Sequence, residues 1–363
     1  MPIREESFRI GCGRYIQKRG GLQECAAEIQ RLGCAPLLIG GKTAFELTRK
    51  TIEESIAESF EKYEFILHEG SCNEQRATEL ATLAAQKGYD VIVGIGGGVL
   101  MDFAKLTGSI ASLPVLNIPT SSATCAAFTP LSVCYTPDGR TVGSKHFPNE
   151  VNAVLADTEI IATQPVRLLL SGVFDALAKF VEIKQCFDPS ATEYPLGLDW
   201  AYVLSERSFN ELINKTEKYI SDIACGQLTD TVEQVIFTTI AATGVISGIA
   251  RGSNQCALAH KFYECTRKHF FNESRSYLHG EIVGIGLLLQ NHFNGECENN
   301  DFLCSLMEKY NMPKNLKDIG VEADSAAFNV YYDYLRSSSA IEQGSNDKLE
   351  RLEKGLKYLF EMK

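Results

Sequence analysis

Short apolar runs alternate with amphipathic segments over the first 163 residues. Six runs rich in β-branched residues predict strands, and four segments with apolar positions at helical spacing lie between them. The predicted strands are FRIGCG, APLLIGG, FILHEG, YDVIVGIG, PVLNIPT and VNAVLAD, and the predicted helices are GGLQECAAEIQRLG, AFELTRKTIEESIAES, EQRATELATLAAQKG and VLMDFAKLTGSIAS. Strands and helices in alternation predict an α/β domain with a Rossmann-like parallel sheet covered on both faces.

The pattern changes after Gln164-Pro165, where nearly every segment reads as a long helix. The candidate helices are 165–187, 195–215, 229–250, 253–268, 280–294 and 300–310, with two or three more before the end. A chain of 363 residues is also too long for one ordinary core. We therefore predict two domains, a nucleotide-binding α/β domain over 1–163 and an all-α domain over 164–363.

Charge and composition narrow the class of partner. The formal net charge is −11 and the pI is about 5.2, so nucleic acid and anionic membranes would be repelled at long range. The N-terminus has no secretory signal, and the apolar stretch near 236–250 is interrupted by Thr, Gly and Ser. The twelve cysteines include no CxxC pair, which favours reduced thiols. These features predict a cytoplasmic protein that acts on small molecules.

A glycine-rich turn follows the strand in YDVIVGIGGGVLMDFAK, with Gly96, Gly97 and Gly98 just before a helix. Such a turn lets the backbone approach a phosphate at a helix N-terminus, although the spacing matches neither GxGxxG nor a Walker A sequence. A purely structural turn is the alternative. Asp102 and Lys105 share one helix face, where they can form a solvated ion pair.

Two further groups of residues carry candidate chemistry. The segment IPTSSATCAAFTPLSV places hydroxyls at Thr120 and Thr124, which suit capping, turns, or binding of a ribose and an amide. Asp175, His260 and His279 supply one carboxylate and two imidazoles, a set that holds a divalent metal with positions left open. Each also has an ordinary explanation: a carboxylate near a helix start for Asp175, a core histidine for His260, and a helix start for His279.

These segments together resemble a known family. GIGGGVLMDFAK resembles the GGGxxxDxAK signature of the iron-containing (group III) alcohol dehydrogenases, and PTSSATCAAFTPLSV resembles their PTxxSTDAxxSxLSV segment. VNAVLADTEIIATQPVRLLLSGVFDALAKFVE resembles the stretch with the aspartate ligand, especially in glycerol dehydrogenases. AHKFYE and the later LHGE are similar to the two-histidine region. The resemblance runs from about Gly40 to Gln290.

The resemblance implies a dehydroquinate synthase-like architecture, a homo-oligomer, and a cleft that holds NAD or NADP beside zinc or iron. It places the metal on Asp175, His260 and His279. It places the cofactor on a longer set, with the phosphate turn first and the ribose and nicotinamide side second: Gly96, Gly97, Gly98 and Asp102, then Thr120, Thr124, Thr129 and Leu131.

Departures from the family pattern bear on the substrate and cofactor. Cys125 stands where glycerol dehydrogenases have an aspartate beside the polyol, Val99 replaces a lysine, and Tyr263 replaces the second histidine of HxxHN. The ATCAAFTPLSV segment resembles the corresponding segment of the hydroxycarboxylate dehydrogenases, which reduce 2-oxo acids. Lys42 follows Gly40-Gly41, where an NAD-selective site usually has an acidic residue, so NADP or both cofactors are expected.

The expected reaction is hydride transfer between nicotinamide and a carbon whose oxygen is polarised by the metal. We expect one cation to neutralise a 2-oxo acid, with Lys145, His146 and Arg251 as candidates. The alternatives are a glycerol dehydrogenase, a dehydroquinate-synthase-like lyase, and a catalytically silent nucleotide-binding protein.

Overall fold

A computed structural model of the protein describes residues 7–187, 195–250, 256–341 and 345–362. The chain forms two compact units. The first, called the sheet unit, contains Ile10–Leu169 and Asn214–Val245. The second, called the helical unit, contains the described parts of Met1–Arg9, Leu170–Ile213 and Ile246–Lys363.

Eight strands lie in the described residues, all in the sheet unit. They are Tyr15–Lys18 (β1), Pro36–Gly40 (β2), Glu64–Leu67 (β3), Val91–Gly96 (β4), Val115–Pro119 (β5), Leu131–Tyr135 (β6), Thr141–His146 (β7) and Ala153–Asp157 (β8). Six of them form one parallel sheet in the order β1-β8-β5-β4-β2-β3, and β6 and β7 form an antiparallel hairpin.

The α-helices of the described residues follow the same chain order. They are Cys25–Gln30 (α1), Lys42–Ile56 (α2), Glu74–Lys87 (α3), Gly98–Ala111 (α4), Thr158–Ile161 (α5), Val166–Cys186 (α6), Leu196–Ala224 (α7), Asp230–Phe237 (α8), Thr243–Ala250 (α9), Leu258–His269 (α10), Phe271–Ser274 (α11), His279–Asn294 (α12), Asn299–Lys309 (α13), Ser325–Arg336 (α14) and Asn346–Glu361 (α15). A π-helical turn, Thr238–Ala242, joins α8 to α9.

Both faces of the sheet are covered, as the continuous apolar runs predict. Side chains that alternate along a strand point to opposite faces. Accordingly, Leu38 and Val93 pack in one core cluster with Ile52 of α2. Ile39 and Ile92 pack in the other with residues of α3 and α4. The predicted fold class, an α/β unit with a parallel sheet followed by mostly helical chain, is confirmed.

Two strand predictions differ from the structure. The run FRIGCG contains no strand, and β1 begins only at Tyr15. Gly11 has a φ of +144°, and the ring of Phe128 fills the space that a Cβ there would need, so this glycine suits a bend. The hairpin of β6 and β7 was not predicted, because β7 is largely exposed and has almost no apolar alternation.

Residues 214–245 group with the sheet unit, although the boundary predicted at 163/164 assigned them to the helical domain. Their packing shows why. Gln164 donates a 3.2 Å hydrogen bond to the Tyr219 hydroxyl, and the Gln17 side chain donates one of 2.9 Å to the carbonyl of Glu233. An amphipathic pattern identifies the buried face of a helix but not the element that covers it.

One helical stretch of the described residues, Asp230–Ala250, is long and apolar enough to cross a membrane, by length and composition only. Of its apolar window, 61% is buried inside the protein. Core helices of soluble proteins have this same composition, so the stretch is weak evidence for a membrane span. All twelve cysteines are free, as the absence of CxxC pairs predicts.

Candidate metal centre and nucleotide turn

Three helices of the helical unit bring the predicted metal ligands together. Asp175 lies on α6, His260 lies near the start of α10, and His279 is the first residue of α12. The Oδ1 atom of Asp175 is 3.2 Å from Nε2 of His260 and 3.5 Å from Nε2 of His279. One potential ligand atom from each residue lies within 4.8 Å of the other two.

These distances match the chemistry of a bound ion. An ion with bonds of about 2.0–2.1 Å and tetrahedral geometry keeps its ligand atoms about 3.3 Å apart. The two measured separations from Asp175 bracket that value. The donor set of two imidazoles and one carboxylate suits zinc or ferrous iron and leaves coordination positions for a substrate. The residues present therefore fit a divalent metal.

Close helix packing places His279 beside Asp175. A Cβ on Gly280 would lie 1.8 Å from the carbonyl oxygen of Ser171, one turn before Asp175 on α6, so only glycine fits there. The backbone N–H of Gly280 also donates a 3.0 Å hydrogen bond to the Ser171 hydroxyl. A similar contact joins α12 to α10, because a Cβ on Gly286 would lie 2.6 Å from the carbonyl of Ala259.

Glu182 contacts His260 on the side of the ring that faces away from Asp175. Its carboxylate has no exposed surface, and Oε2 lies 2.5 Å from Nδ1 of His260 while Oε1 accepts a 2.9 Å hydrogen bond from the backbone N–H. When Nδ1–H of a histidine donates to a carboxylate, Nε2 is the nitrogen left to bind a metal, and in His260 this atom faces Asp175. Metal-binding histidines commonly have such a carboxylate partner.

Charge in the cluster is arranged around Asp175. Burial by itself would raise the pKa of Asp175, but the Lys179 ammonium and hydrogen bonds from His260 and His279 outweigh it and hold that pKa well below its usual range. Burial lowers the pKa of His279. Burial also disfavours the charged form of His260, yet the Glu182 carboxylate prevails and raises the pKa of His260 to about 10.

The structure changes the ordinary explanations considered from the sequence. Asp175 lies in the middle of the 21-residue helix α6 and is 4% exposed, so the helix dipole does not account for it, because that effect is confined to the first turn. His279 does begin a helix, as expected. Tyr263, which stands in place of the second histidine of HxxHN, packs edge-on against the ring of the predicted ligand His279, with centroids 4.3 Å apart.

Two residues of this cluster, Lys179 and Glu182, were missed from the sequence. Both follow Asp175 on α6 at spacings of four and seven residues, which place them on the same helix face. Charged residues at those spacings in an otherwise apolar helix are the signal that identifies them. Lys179 is 4% exposed, and its Nζ lies 3.3 Å from Nε2 of His260 and 3.8 Å from Oδ1 of Asp175.

The glycine turn lies in the sheet unit, between β4 and α4. Gly96 has a φ of +153°, and a Cβ there would lie 2.9 Å from the Leu100 side chain. A Cβ on Gly98 would lie 2.9 Å from Oγ1 of Thr124, and the N–H of Thr120 donates a 2.9 Å hydrogen bond to the carbonyl of Gly96. The turn and the two threonines therefore meet at the carboxyl end of the sheet, where α/β folds bind nucleotides.

Asp102 and Lys105 do not form the solvated ion pair considered from the sequence. They are buried and 2.8 Å apart. The Lys105 ammonium donates to the carbonyls of Ala126, Thr129 and Leu131, and the Asp102 carboxylate accepts a 3.0 Å hydrogen bond from the N–H of Val133. The pair thus holds the segment that follows β5 through hydrogen bonds to its backbone. A local charge pattern does not reveal this arrangement.

The remaining predicted residues lie at different places in the sheet unit. Cys125 is partly exposed, and its carbonyl accepts hydrogen bonds from the N–H groups of Phe128 and Thr129. Lys42 is exposed and begins α2, directly after the end of β2. Lys145 is paired with Glu74 at 2.6 Å. His146 is exposed at the end of β7, and Arg251 lies outside the described residues.

Comparison with known proteins identifies the family. The model of the iron-containing alcohol dehydrogenases matches residues 12–158. Hydroxycarboxylate dehydrogenase A of Escherichia coli (strain K12) is 31% identical over 72% of this chain and 71% of its own length. The glycerol dehydrogenase of Citrobacter freundii is 33% identical over 70% of this chain and 69% of its own length.

The solved structure of glycerol dehydrogenase from Schizosaccharomyces pombe has the same fold, with a TM-score of 0.83 and 21% identity over 98% of this chain and 91% of that one. A probable glycerol dehydrogenase from Sinorhizobium meliloti 1021 gives a TM-score of 0.81 at 21% identity, over 98% of both chains. The family acts on alcohol CH–OH groups with NAD(P) and a divalent metal. The chain therefore belongs to the iron-containing alcohol dehydrogenase family.

Proposed function

We propose that this protein transfers a hydride between NAD(P) and a small 2-hydroxy acid/2-oxo acid pair at the Asp175, His260 and His279 cluster. The observation that supports it most is the cluster itself, with ligand-atom separations of 3.2 and 3.5 Å in a chain of a metal-dependent dehydrogenase family. When bound, zinc or iron supplies Lewis-acid polarisation of the substrate oxygen, and the nicotinamide supplies or accepts the hydride.

Each residue of the cluster has a different proposed role in binding the ion. Asp175 contributes negative charge, and its depressed pKa keeps it ionised at neutral pH. Glu182 fixes the His260 tautomer so that Nε2 remains available. His279 is held in place by the contact between Gly280 and Ser171. Because a bound metal would stabilise the alkoxide, no strongly basic side chain needs to contact the substrate.

The glycine turn is the proposed phosphate site. Gly96, Gly97 and Gly98 allow the pyrophosphate to approach the N-terminus of α4, where free N–H groups point outward. Thr120, Thr124, Thr129 and Leu131 form the proposed ribose and nicotinamide side, and Asp102 supports it through Lys105. Lys42 begins α2 beside the end of β2, so it is the proposed contact for a 2′-phosphate and favours use of NADP.

The finer substrate assignment depends on Cys125. A thiol in place of the family aspartate leaves less negative charge in the pocket, which suits an anionic 2-oxo acid better than a polyol. The likeness to hydroxycarboxylate dehydrogenase A supports this choice, and the likeness to glycerol dehydrogenases supports glycerol as the second candidate.

The proposed enzyme is a cytoplasmic homo-oligomer, with the metal in the proposed domain that follows residue 163.

The decisive experiment screens 2-oxo acids and polyols against both cofactors in both redox states, with metal analysis on the same sample. His260→Ala is expected to lose metal and turnover together. Full metal content and full turnover in that variant would overturn the metal assignment. Cys125→Asp is expected to shift preference from oxo acids toward diols, and no shift would remove the role given to Cys125. Cofactor binding without metal binding would favour a catalytically silent nucleotide-binding protein. Conversion of a phosphorylated substrate by elimination and cyclisation would favour a dehydroquinate-synthase-like lyase.

A further inference from the structure

A buried cation lies beside the metal ligands on α6. The side chain of Lys179 is 5% exposed, and its Nζ is 3.3 Å from Nε2 of His260 and 3.8 Å from Oδ1 of Asp175. Burial of an ammonium is costly unless nearby charge and hydrogen bonds compensate for it. A buried lysine this close to two predicted metal ligands therefore requires an explanation.

The charge of the cluster supplies one. Asp175 and Glu182 contribute two negative charges and Lys179 one positive charge, while metal binding requires neutral imidazoles at His260 and His279. With a divalent ion bound, the five residues and the ion together would carry a net charge of +1. A monoanionic ligand would neutralise it, and a neutral polyol would not. Electrostatic complementarity of this kind selects ligands by charge.

We propose that Lys179 is a specificity-determining residue that binds the carboxylate of a 2-oxo acid or 2-hydroxy acid substrate. This inference rests on the proposed function and adds the group that recognises the substrate. The Lys179 ammonium lies within 4 Å of one potential ligand atom of His260 and one of Asp175, so the carboxylate of a substrate bound at this cluster would come within its reach. The cation expected from the sequence is thus Lys179 rather than Lys145 or His146.

The test compares two substrates of similar size that differ in charge, pyruvate and hydroxyacetone, with wild-type holoenzyme and Lys179→Met. Methionine keeps the length and apolar stem of lysine and removes the charge. Loss of a charge-assisted hydrogen bond is expected to raise the KM for pyruvate about 10- to 100-fold. The KM for hydroxyacetone should change by less than about threefold, because it makes no charged contact. Metal content should be retained.

A binding measurement that needs no turnover accompanies the kinetics. Oxamate, an unreactive analogue of pyruvate, is titrated calorimetrically into the metal- and cofactor-loaded protein. Binding should weaken about 10- to 100-fold in Lys179→Met and recover in part in Lys179→Arg, which keeps the charge. Lys184→Met is the matched control, because Lys184 lies on the same helix and is paired with Glu296 at 2.8 Å, outside the cluster.

Failure of this inference and failure of the proposed function give different results. Equal KM changes for both substrates, or loss of metal with equal loss of both activities, would show a structural role for Lys179 and overturn the inference. If the wild type reduces hydroxyacetone but no 2-oxo acid, the proposed substrate class is wrong. Oxamate then still decides: binding lost in Lys179→Met supports an anion site, and unchanged or absent binding overturns it.

Discussion

The Nδ1 atom of His260 lies 2.5 Å from the Oε2 atom of Glu182, and the same carboxylate accepts a hydrogen bond from the backbone N–H of His260. One buried side chain thus holds both the ring and the backbone of a proposed metal ligand. Glu182 follows Asp175 by seven residues on α6, so a single helix supplies a ligand and the support for a second ligand on another helix. The proposed metal site consequently depends on more than its three proposed ligands.

Glu182→Gln is expected to lower the metal affinity for fully deprotonated His260 about 10- to 100-fold, because an amide makes His260 less basic and no longer favours one tautomer. Metal dissociation constants from chelator competition measure the effect. Glu296→Gln is the control, since Glu296 is paired with Lys184 away from the cluster. Equal metal affinity in wild type and Glu182→Gln, after correction for proton competition at His260, would contradict the support assigned to this carboxylate.

Metal affinity should rise with pH. In the metal-free protein Glu182 raises the pKa of His260 to about 10, against the effect of burial, so below that pH a proton competes with the ion for Nε2. Removal of one competing proton gives about a tenfold gain in zinc affinity per pH unit, measured by chelator competition between about pH 6.5 and 8.5. The slope should be smaller in Glu182→Gln. A flat profile in the wild type would contradict the raised pKa.

Lys105→Met should destabilise the sheet unit by about 3–5 kcal/mol, because it leaves the Asp102 carboxylate buried without its cation. Urea unfolding monitored by circular dichroism measures the free energy of unfolding. Lys87→Met removes an exposed ion pair with Glu64 at 2.8 Å and should cost about 0–1 kcal/mol. Similar costs for the two variants would mean that the buried pair does not shape the segment after β5.

Gly96→Ala should weaken NAD(P) binding by about tenfold or more, because the alanine meets the Leu100 side chain at 2.9 Å and the backbone has a φ of +153°. Fluorescence titration with the reduced cofactor gives the dissociation constant. Gly70→Ala is the control for backbone strain alone, since Gly70 has a φ of +101° and its Cβ would contact nothing within 4 Å. Unchanged cofactor affinity in Gly96→Ala would argue against the phosphate site.

Lys42→Glu should shift cofactor preference toward NAD. A carboxylate at the start of α2 repels a 2′-phosphate and can accept hydrogen bonds from the ribose hydroxyls of NAD. The KM for NADPH is expected to rise about tenfold, with that for NADH unchanged or lower. Lys50→Glu, at an exposed position farther along α2, serves as the control. A parallel change for both cofactors would show that Lys42 does not contact the 2′-phosphate.

The layers of the sheet unit and the types of the candidate ligand residues follow from short stretches of the sequence. Continuous apolar runs such as VIVGIG require burial on both faces, and the glycines after them require a turn, so local patterns predict β4, α4 and the open end between them. The residue types of Asp175, His260 and His279 make them candidate ligands, and the resemblance of their segments to a family places the metal on them. Fold class follows from short stretches and is confirmed, whereas the ligand assignment stays a prediction.

The surroundings of those residues depend on tertiary packing. Glu182 lies 78 positions from His260 along the chain, and no local pattern relates them. The burial of Lys105, the position of Lys179 beside two ligand atoms, and the grouping of residues 214–245 with the sheet unit depend on which helix faces meet. Periodicity specifies that a face is buried, whereas the partner of that face follows from the packing of the whole chain.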